Sequence, residues 1–480
     1  MRFRQWKCLL ALMLLIAAVA AADDFDALKS RGTVIPSLKS LDDPGQSYAL
    51  YLPSQYSPDR RWPIIYAFDP FAHGKTPVEM YRNVAEKYGY ILAGSNNSQN
   101  GPAAPAMAAA QTIWHDTHRR FAIDKDRVYV TGLSGGARFA TSFALYCYTC
   151  AIAGVIAHGA GYPTEMNKAA NDHFLYYAAI GDADFNLPEI LQLRRRKEEQ
   201  GAEYKVKIYS GQHQWAPPEV FEDAVEWLEL KAMQAGTRKP DADFIRRLFD
   251  RTKAEAAEAG QKGNTLDQYY ALHSLVADFK GIENTGAAEF EGPLAALKTS
   301  KALKDARKNE QREMDRQRTL TETTGGEIAR IATAAPEEQA QLKLNISAAL
   351  SSLWRQSNAN GSDRALSTRA FNQLWIQGIE QGHEELRQRH LLQAEAYFEI
   401  MGESVPDHPW PLLMLAEVRV KIGNKKGAIK AIEEAVKQGL KNPANLTQDP
   451  ELQPLASEPA FQKIVESIST GATQRSPRSH

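Results

Sequence analysis

The chain has 480 residues, 57 basic and 58 acidic side chains, and three cysteines. A formal charge of −1 excludes nucleic acid as the main partner, because phosphate binding needs a surplus of Lys and Arg. With 43% hydrophobic and 24% charged residues the chain is neither disordered nor polytopic in a membrane, and three cysteines cannot hold a disulfide scaffold, so packed cores must carry the fold. Of the 18 tyrosines, 15 lie between Tyr48 and Tyr209, so the two halves of the chain are built differently.

Residues 1–22 read as a targeting segment. Arg2, Arg4 and Lys7 give a basic start, Cys8 to Ala22 is an unbroken apolar run, and small residues precede Asp23-Asp24. A run of that length is short for a bilayer, which takes about 20 residues. The pattern is that of a cleaved secretory signal, with an uncleaved anchor as the alternative. Cleavage after Ala22 takes the formal charge from −1 to −4 and leaves a chain with no stable membrane span, expected in the periplasm or outside the cell.

From Gln46 to about Lys231 strands and helices alternate. The expected strands are Ser47–Leu52, Pro63–Phe68, Tyr90–Ala93, Arg127–Thr131, Ile152–Ala157, Phe174–Ile180 and Lys205–Tyr209. Several are apolar on both faces, as the strands of a covered parallel sheet are. The expected helices are Val78–Tyr88, Ala103–Phe121, Gly136–Tyr146, Pro188–Gln200 and Pro217–Met233. The fold class is therefore α/β, a doubly wound and mainly parallel sheet, over residues 23–237. Cys147 and Cys150 close the third of these helices. In an exported protein they are expected as a structural disulfide, with buried thiols or a redox pair as alternatives.

Thr237-Arg238-Lys239-Pro240 marks a boundary, beyond which strand signals vanish. Residues 238–368 read as helical, with a turn at Thr323-Thr324-Gly325-Gly326. Over 369–469 an offset of 34 residues pairs Gly382 with Ala416, Ala394 with Ala428, Phe398 with Ile432 and Met401 with Ala435. Small residues at the first two positions let paired helices approach, and apolar ones at the others bury the next seam. This period resembles the tetratricopeptide repeat, an unrelated helical bundle being the alternative. Such hairpin arrays offer surfaces for a protein partner. Residues 470–480 are expected as a disordered tail.

Gly132-Leu133-Ser134-Gly135-Gly136 fits G-x-S-x-G. The strand before it and the helix after it are what a nucleophile elbow requires. A serine hydroxyl needs a base, and His213 follows the last strand of the sheet region. The base needs an acid to hold its ring, and Gly181-Asp182-Ala183-Asp184 follows the strand before. Asp184 is favoured, because a loop leaving at Gly181 needs a few residues to turn back; Asp182 is the alternative. Asp69, His73 and His158 lie past strand ends and are expected to line the pocket; Trp215 is expected in the core, with the pocket as its alternative because it stands two residues from the base. No Gly-rich nucleotide signature and no His/Cys metal cluster occurs, so neither cofactor nor metal is expected.

The order Ser134, Asp184, His213, each at a strand end, resembles the α/β-hydrolases. Asp116–Arg120, then Phe121-Ala122-Ile123-Asp124-Lys125-Asp126-Arg127-Val128 and the elbow, resembles the esterases of the polyhydroxybutyrate-depolymerase and feruloyl-esterase type over Gln46–Met233. The resemblance implies a Ser-His-Asp hydrolase of carboxylic esters. Only 50 residues separate Ser134 from Asp184, which leaves no room for a cap domain and implies an open site for a small-molecule ester, a polysaccharide ester or a polyester. It also implies an oxyanion hole made by the Gly135 amide and one from the loop after Pro63–Phe68. That loop carries His-Gly in the family and reads Phe68-Asp69-Pro70-Phe71-Ala72-His73-Gly74 here, so the expected second donor is the Phe71 amide. Two rival functions remain open, a peptidase or amidase with the same triad, and a non-catalytic binding protein whose repeats do the work.

Overall fold

The computed structural model describes residues 29–163, 173–283 and 285–473. The expected signal segment, and the tail beyond Thr473, lie outside them. The chain divides into two compact units, residues 1–310 and 311–480.

The first unit is an eight-stranded sheet. Its strands are β1 (Val34–Lys39), β2 (Ser47–Tyr51), β3 (Trp62–Phe68), β4 (Ile91–Ser95), β5 (Ile123–Leu133), β6 (Gly154–His158), β7 (Leu175–Gly181) and β8 (Tyr204–Tyr209), in the order β1-β2-β4-β3-β5-β6-β7-β8. Only the β1/β2 and β2/β4 pairings are antiparallel. Strands β3, β4 and β6 are buried along their whole length, which is why they read as continuous apolar runs. The sequence reading lacks β1. Pro36 sits inside it, and the register shifts between Ile35 and Leu38. Proline gives no ladder N–H, so it is tolerated in an edge strand and hides one from sequence patterns.

Helices α1 (Lys75–Tyr88), α2 (Ala103–Arg120), α3 (Gly135–Tyr146), α4 (Leu187–Gln200) and α5 (Pro218–Gln234) cover both faces. Ile113 of α2, Phe143 of α3 and Ile190 of α4 pack with Ile64, Val130 and Val155 of the sheet. Val78 and Tyr81 of α1 pack with Phe221 and Val225 of α5 over Ile65 and Ile156 on the other face. Most of the tyrosines concentrated here serve as core residues with a polar end, while Tyr146 and Tyr148 are exposed. Tyr48 gives its hydroxyl to Asp116 (2.7 Å), Tyr81 to the Ala216 carbonyl (2.8 Å) and Tyr177 to Asp223 (2.7 Å), all buried. Cys147 and Cys150 are joined by a disulfide just after α3.

The compact unit does not stop at residue 237. Helices α6 (Ala242–Gln261), α7 (Thr265–Ala277) and α8 (Glu291–Thr299) belong to it. Phe244, Leu248, Phe249, Leu272 and Leu275 close over Leu230 and Met233 of α5, and Trp227 Nε1 donates to Asp278 at 2.9 Å.

Helix α9 (Lys301–Arg330) carries the chain across the division. The turn expected at Thr323–Gly326 is absent. Thr321 and Thr324 are buried, and Gln377 donates to the Gly325 carbonyl at 2.9 Å, so tertiary packing overrides weak helix formers that cost about 1 kcal/mol each. The second unit continues with α10 (Pro336–Ser357), α11 (Arg364–Arg387), α12 (Leu391–Glu403), α13 (Trp410–Lys421), α14 (Lys425–Lys437), the one-turn α15 (Ala444–Thr447) and α16 (Pro459–Thr473). The last of these enters the stretch expected as a tail. Of the positions paired by the 34-residue offset, Ala394, Phe398, Met401, Ala416, Ala428, Ile432 and Ala435 are fully buried. A Cβ on Gly382 would stand 2.9 Å from the Phe398 ring, so a small residue is required there. Among the described residues no helix is long and apolar enough to cross a membrane.

Candidate active site

After β3 the chain builds β4 on one side and then crosses to build β5 on the other. In open α/β sheets that reversal leaves a crevice at the strands' carboxyl ends. Ser134 and the loop Asp69–His73 follow the two strands that flank it.

Ser134 joins β5 to α3 with φ 55° and ψ −121°, a conformation L-residues rarely adopt. The neighbouring glycines permit it. A Cβ on Gly132 would lie 2.2 Å from the Gly136 carbonyl oxygen, and one on Gly136 would lie 2.1 Å from that of Phe68. The Ser134 amide donates to the His158 carbonyl at 2.9 Å, and Ser134 stands at the N-terminus of the twelve-residue α3. Helix dipoles there favour negative charge.

His213 lies in the loop between β8 and α5. Its Nδ1 is 2.9 and 3.0 Å from the two carboxylate oxygens of Asp184, which is fully buried. Asp184 also accepts from the Asn186 amide at 2.9 Å. An Nδ1–H held by the carboxylate leaves Nε2 as the basic nitrogen. Asp182 instead accepts the Gly211 amide at 3.1 Å and ties the β7 end to the β8 end. Gly159 connects the parts: it follows His158, which holds Ser134, and a Cβ on it would stand 3.0 Å from Asp184 Oδ2 and 3.1 Å from His213 Nδ1. Ser134 Oγ makes no hydrogen bond to His213 among the described residues. Nucleophile and base often close up only around substrate.

The expected oxyanion donor Phe71 is a correction. Its amide donates to Asp69 Oδ1 at 2.9 Å, and its ring is 69% exposed. Pro70 has no N–H, the Ala72 amide donates to the Asp69 carbonyl at 3.2 Å, and the His73 amide donates to Asp69 Oδ1 at 3.3 Å. The loop amides are folded onto one aspartate. Asp69 Oδ2 accepts from Trp215 Nε1 at 2.9 Å, so the same buried carboxylate also fixes the segment that carries His213.

The other expected pocket residues divide. Trp215 and His158 are buried, their rings 5.1 Å apart, and belong to the core beneath the site. His158 Nε2 lies 3.1 Å from Thr131 Oγ1 while its Nδ1 finds no partner among the described residues, and burial pushes its pKa down to about 3, so the ring is neutral. His73 is at the surface, 3.9 Å from Asp69. The sequence reading missed Asn100. Its amide donates to the Pro70 carbonyl at 2.9 Å, and its carboxamide lies against Gly135. An Asn-Gly pair in a loop reads only as a turn. Among the described residues no group of three or more His, Cys, Asp or Glu is arranged to hold a metal ion.

No protein-family model matches the chain, and no curated protein matches it. Among solved structures, a Staphylococcus aureus fluorophosphonate-binding serine hydrolase is similar at 12% identity and a TM-score of 0.32, over 38% of this chain and 92% of that one. Thermogutta terrifontis esterase 2 is similar at 12% identity and 0.34, over 41% and 92%. A ferulic acid esterase is similar at 15% and 0.34, over 40% and 95%. Similarity of this order assigns no role to any residue of this chain.

Proposed function

We propose that the protein is an exported serine hydrolase of carboxylic esters. The observation that carries the reading is the His213–Asp184 pair, set at the ends of β8 and β7 beside a strained serine elbow at the end of β5. Ser134 Oγ attacks the acyl carbon while His213 Nε2 takes its proton. The developing oxyanion is met by the Gly135 amide at the head of α3. His213 then gives the proton to the leaving alcohol, and the acyl-enzyme remains on Ser134. A water molecule, deprotonated by the same nitrogen, releases the acid and restores the serine. Asp184 keeps Nδ1–H in place throughout and stabilises the imidazolium.

A fluorophosphonate probe should label the wild type and leave Ser134→Ala unlabelled. Ester turnover should fall by about 10⁴-fold or more in Ser134→Ala and in His213→Ala. Equal labelling of wild type and Ser134→Ala would remove Ser134 from the role. The substrate class is read with a panel of aryl, acetyl-polysaccharide and short polyester esters, run beside aminoacyl-anilides. Faster cleavage of the anilides would make the protein an amidase. The helices of the second unit are inferred to be tetratricopeptide-type hairpins that dock an extended protein segment, on the strength of the buried 34-residue pairing.

A further inference from the structure

A tetrahedral oxyanion needs more than one donor, and removal of a single one costs about 10²–10³ in kcat where this has been measured. Gly135 supplies one amide. The loop that faces it across the crevice supplies none from residues 70 to 73, because Pro70 has no N–H and the amides of Phe71, Ala72 and His73 are all spent on Asp69. We propose that the side-chain carboxamide of Asn100 is the second oxyanion donor. The proposal rests on the hydrolase reading above and adds a residue to it.

Three observations place Asn100 there. Its carboxamide is seated on the residue that bears the first donor: a Cβ on Gly135 would stand 1.9 Å from Asn100 Oδ1 and 2.9 Å from Nδ2. Position 135 must therefore stay glycine for the carboxamide to remain. The backbone holding it is stitched to the Asp69 loop, through the Asn100 amide on the Pro70 carbonyl at 2.9 Å and an antiparallel bridge between Phe71 and Gln99. The carboxamide has no hydrogen-bond partner among the described residues. A half-turn about its terminal bond exchanges nitrogen for oxygen without moving the chain. Pro70, which has no backbone donor to give, thus also holds through its carbonyl the segment that brings a side-chain donor.

The test uses the full chain with a p-nitrophenyl ester. Asn100→Ala should lower kcat by about 10²-fold or more with KM within a few-fold of wild type. Asn100→Asp keeps the shape but sets a carboxylate against the oxyanion, so it should be slower than Asn100→Ala. Inhibition by a trifluoromethyl ketone, which forms the tetrahedral adduct on Ser134, should weaken in both variants by the factor lost in kcat/KM. Gly135→Ala keeps its own amide but displaces the carboxamide, so its loss should not add to that of Asn100→Ala. A kcat for Asn100→Ala within threefold of wild type would overturn the proposal, as would Asn100→Asp retaining wild-type rate. In either case an active, probe-labelled wild type leaves the hydrolase reading intact. A wild type that neither turns over esters nor takes the probe would overturn both.

Discussion

Ser134 is held where a side chain costs energy. A non-glycine residue at φ 55°, ψ −121° costs on the order of 1–3 kcal/mol, repaid by the packing of β5 and α3 around it. Ser134→Ala keeps the Cβ and so keeps the strain, while Ser134→Gly removes it at a smaller entropic loss of about 0.5–1 kcal/mol in the unfolded chain. Ser134→Gly should therefore melt above Ser134→Ala by about 1 kcal/mol, roughly 2 °C. Calorimetry on the two inactive variants checks this, and an alanine variant equal to or more stable than the glycine one would show that the backbone there is not strained. Asp69 is the other residue whose context decides its part. Four residues after Ile65 it reads as a pocket acid, yet it is buried and binds Phe71, His73 and Trp215.

Helix α13 and the segment after α15 show how a burial choice becomes a pH response. Glu417, on α13, is nearly buried, and burial first, then Asp449 and Glu451 nearby, raises its pKa from 4.5 to about 8; Lys421 opposes them. The folded chain therefore keeps a proton that the unfolded chain releases above about 4.5. Stability from this group is present at pH 4.5 and falls as the pH climbs to about 8, after which it is level. Glu417→Gln should abolish that slope and raise the melting temperature at pH 8 by a few degrees. Melting curves at pH 5 and pH 8 test the sign; an unchanged slope in Glu417→Gln would place the effect elsewhere.

The division of the chain at residue 310 has its own consequence. Leu230 and Met233 of α5 are covered by Phe244, Leu248 and Leu272, and Arg251 of α6 binds Asp223 at 2.9 Å. Farther on, Arg307 donates to Glu198 at 2.7 Å, and Arg195 to Glu310 at 3.0 Å. A fragment of residues 23–237 exposes that apolar seam and takes Arg251 away from the buried Asp223 and Glu226 of α5, whereas 23–310 keeps the seam covered and the arginine in place. The longer fragment should be monomeric, fold cooperatively and hydrolyse esters, and the shorter should aggregate or melt well below it. Size-exclusion chromatography and thermal melts of the two decide; equal stability would show that α6 to α8 are dispensable to the sheet.

Local chemistry was enough to name seven of the eight strands, the five helices that cover the sheet, and Ser134, Asp184 and His213 as candidates. Apolar runs, Pro and Gly punctuation and the G-x-S-x-G turn are short-range signals, and each is written within a few residues of the chain. What sequence left open were contacts between residues far apart. Asp184 rather than Asp182 meets His213 because Asp182 is taken by Gly211, 29 positions away. Phe71 loses its amide to Asp69, whose other oxygen is claimed by Trp215, 146 positions on. Asn100, beyond β4, comes to Gly135 with its backbone bonded to the loop after β3, the strand that lies between β4 and β5. The end of the first unit at 310, and an unbroken α9 through Gly325 and Gly326, were likewise set by packing partners with no local mark. Propensity and periodicity are properties of a segment, whereas a hydrogen-bond donor is used up by whichever acceptor the folded chain brings to it.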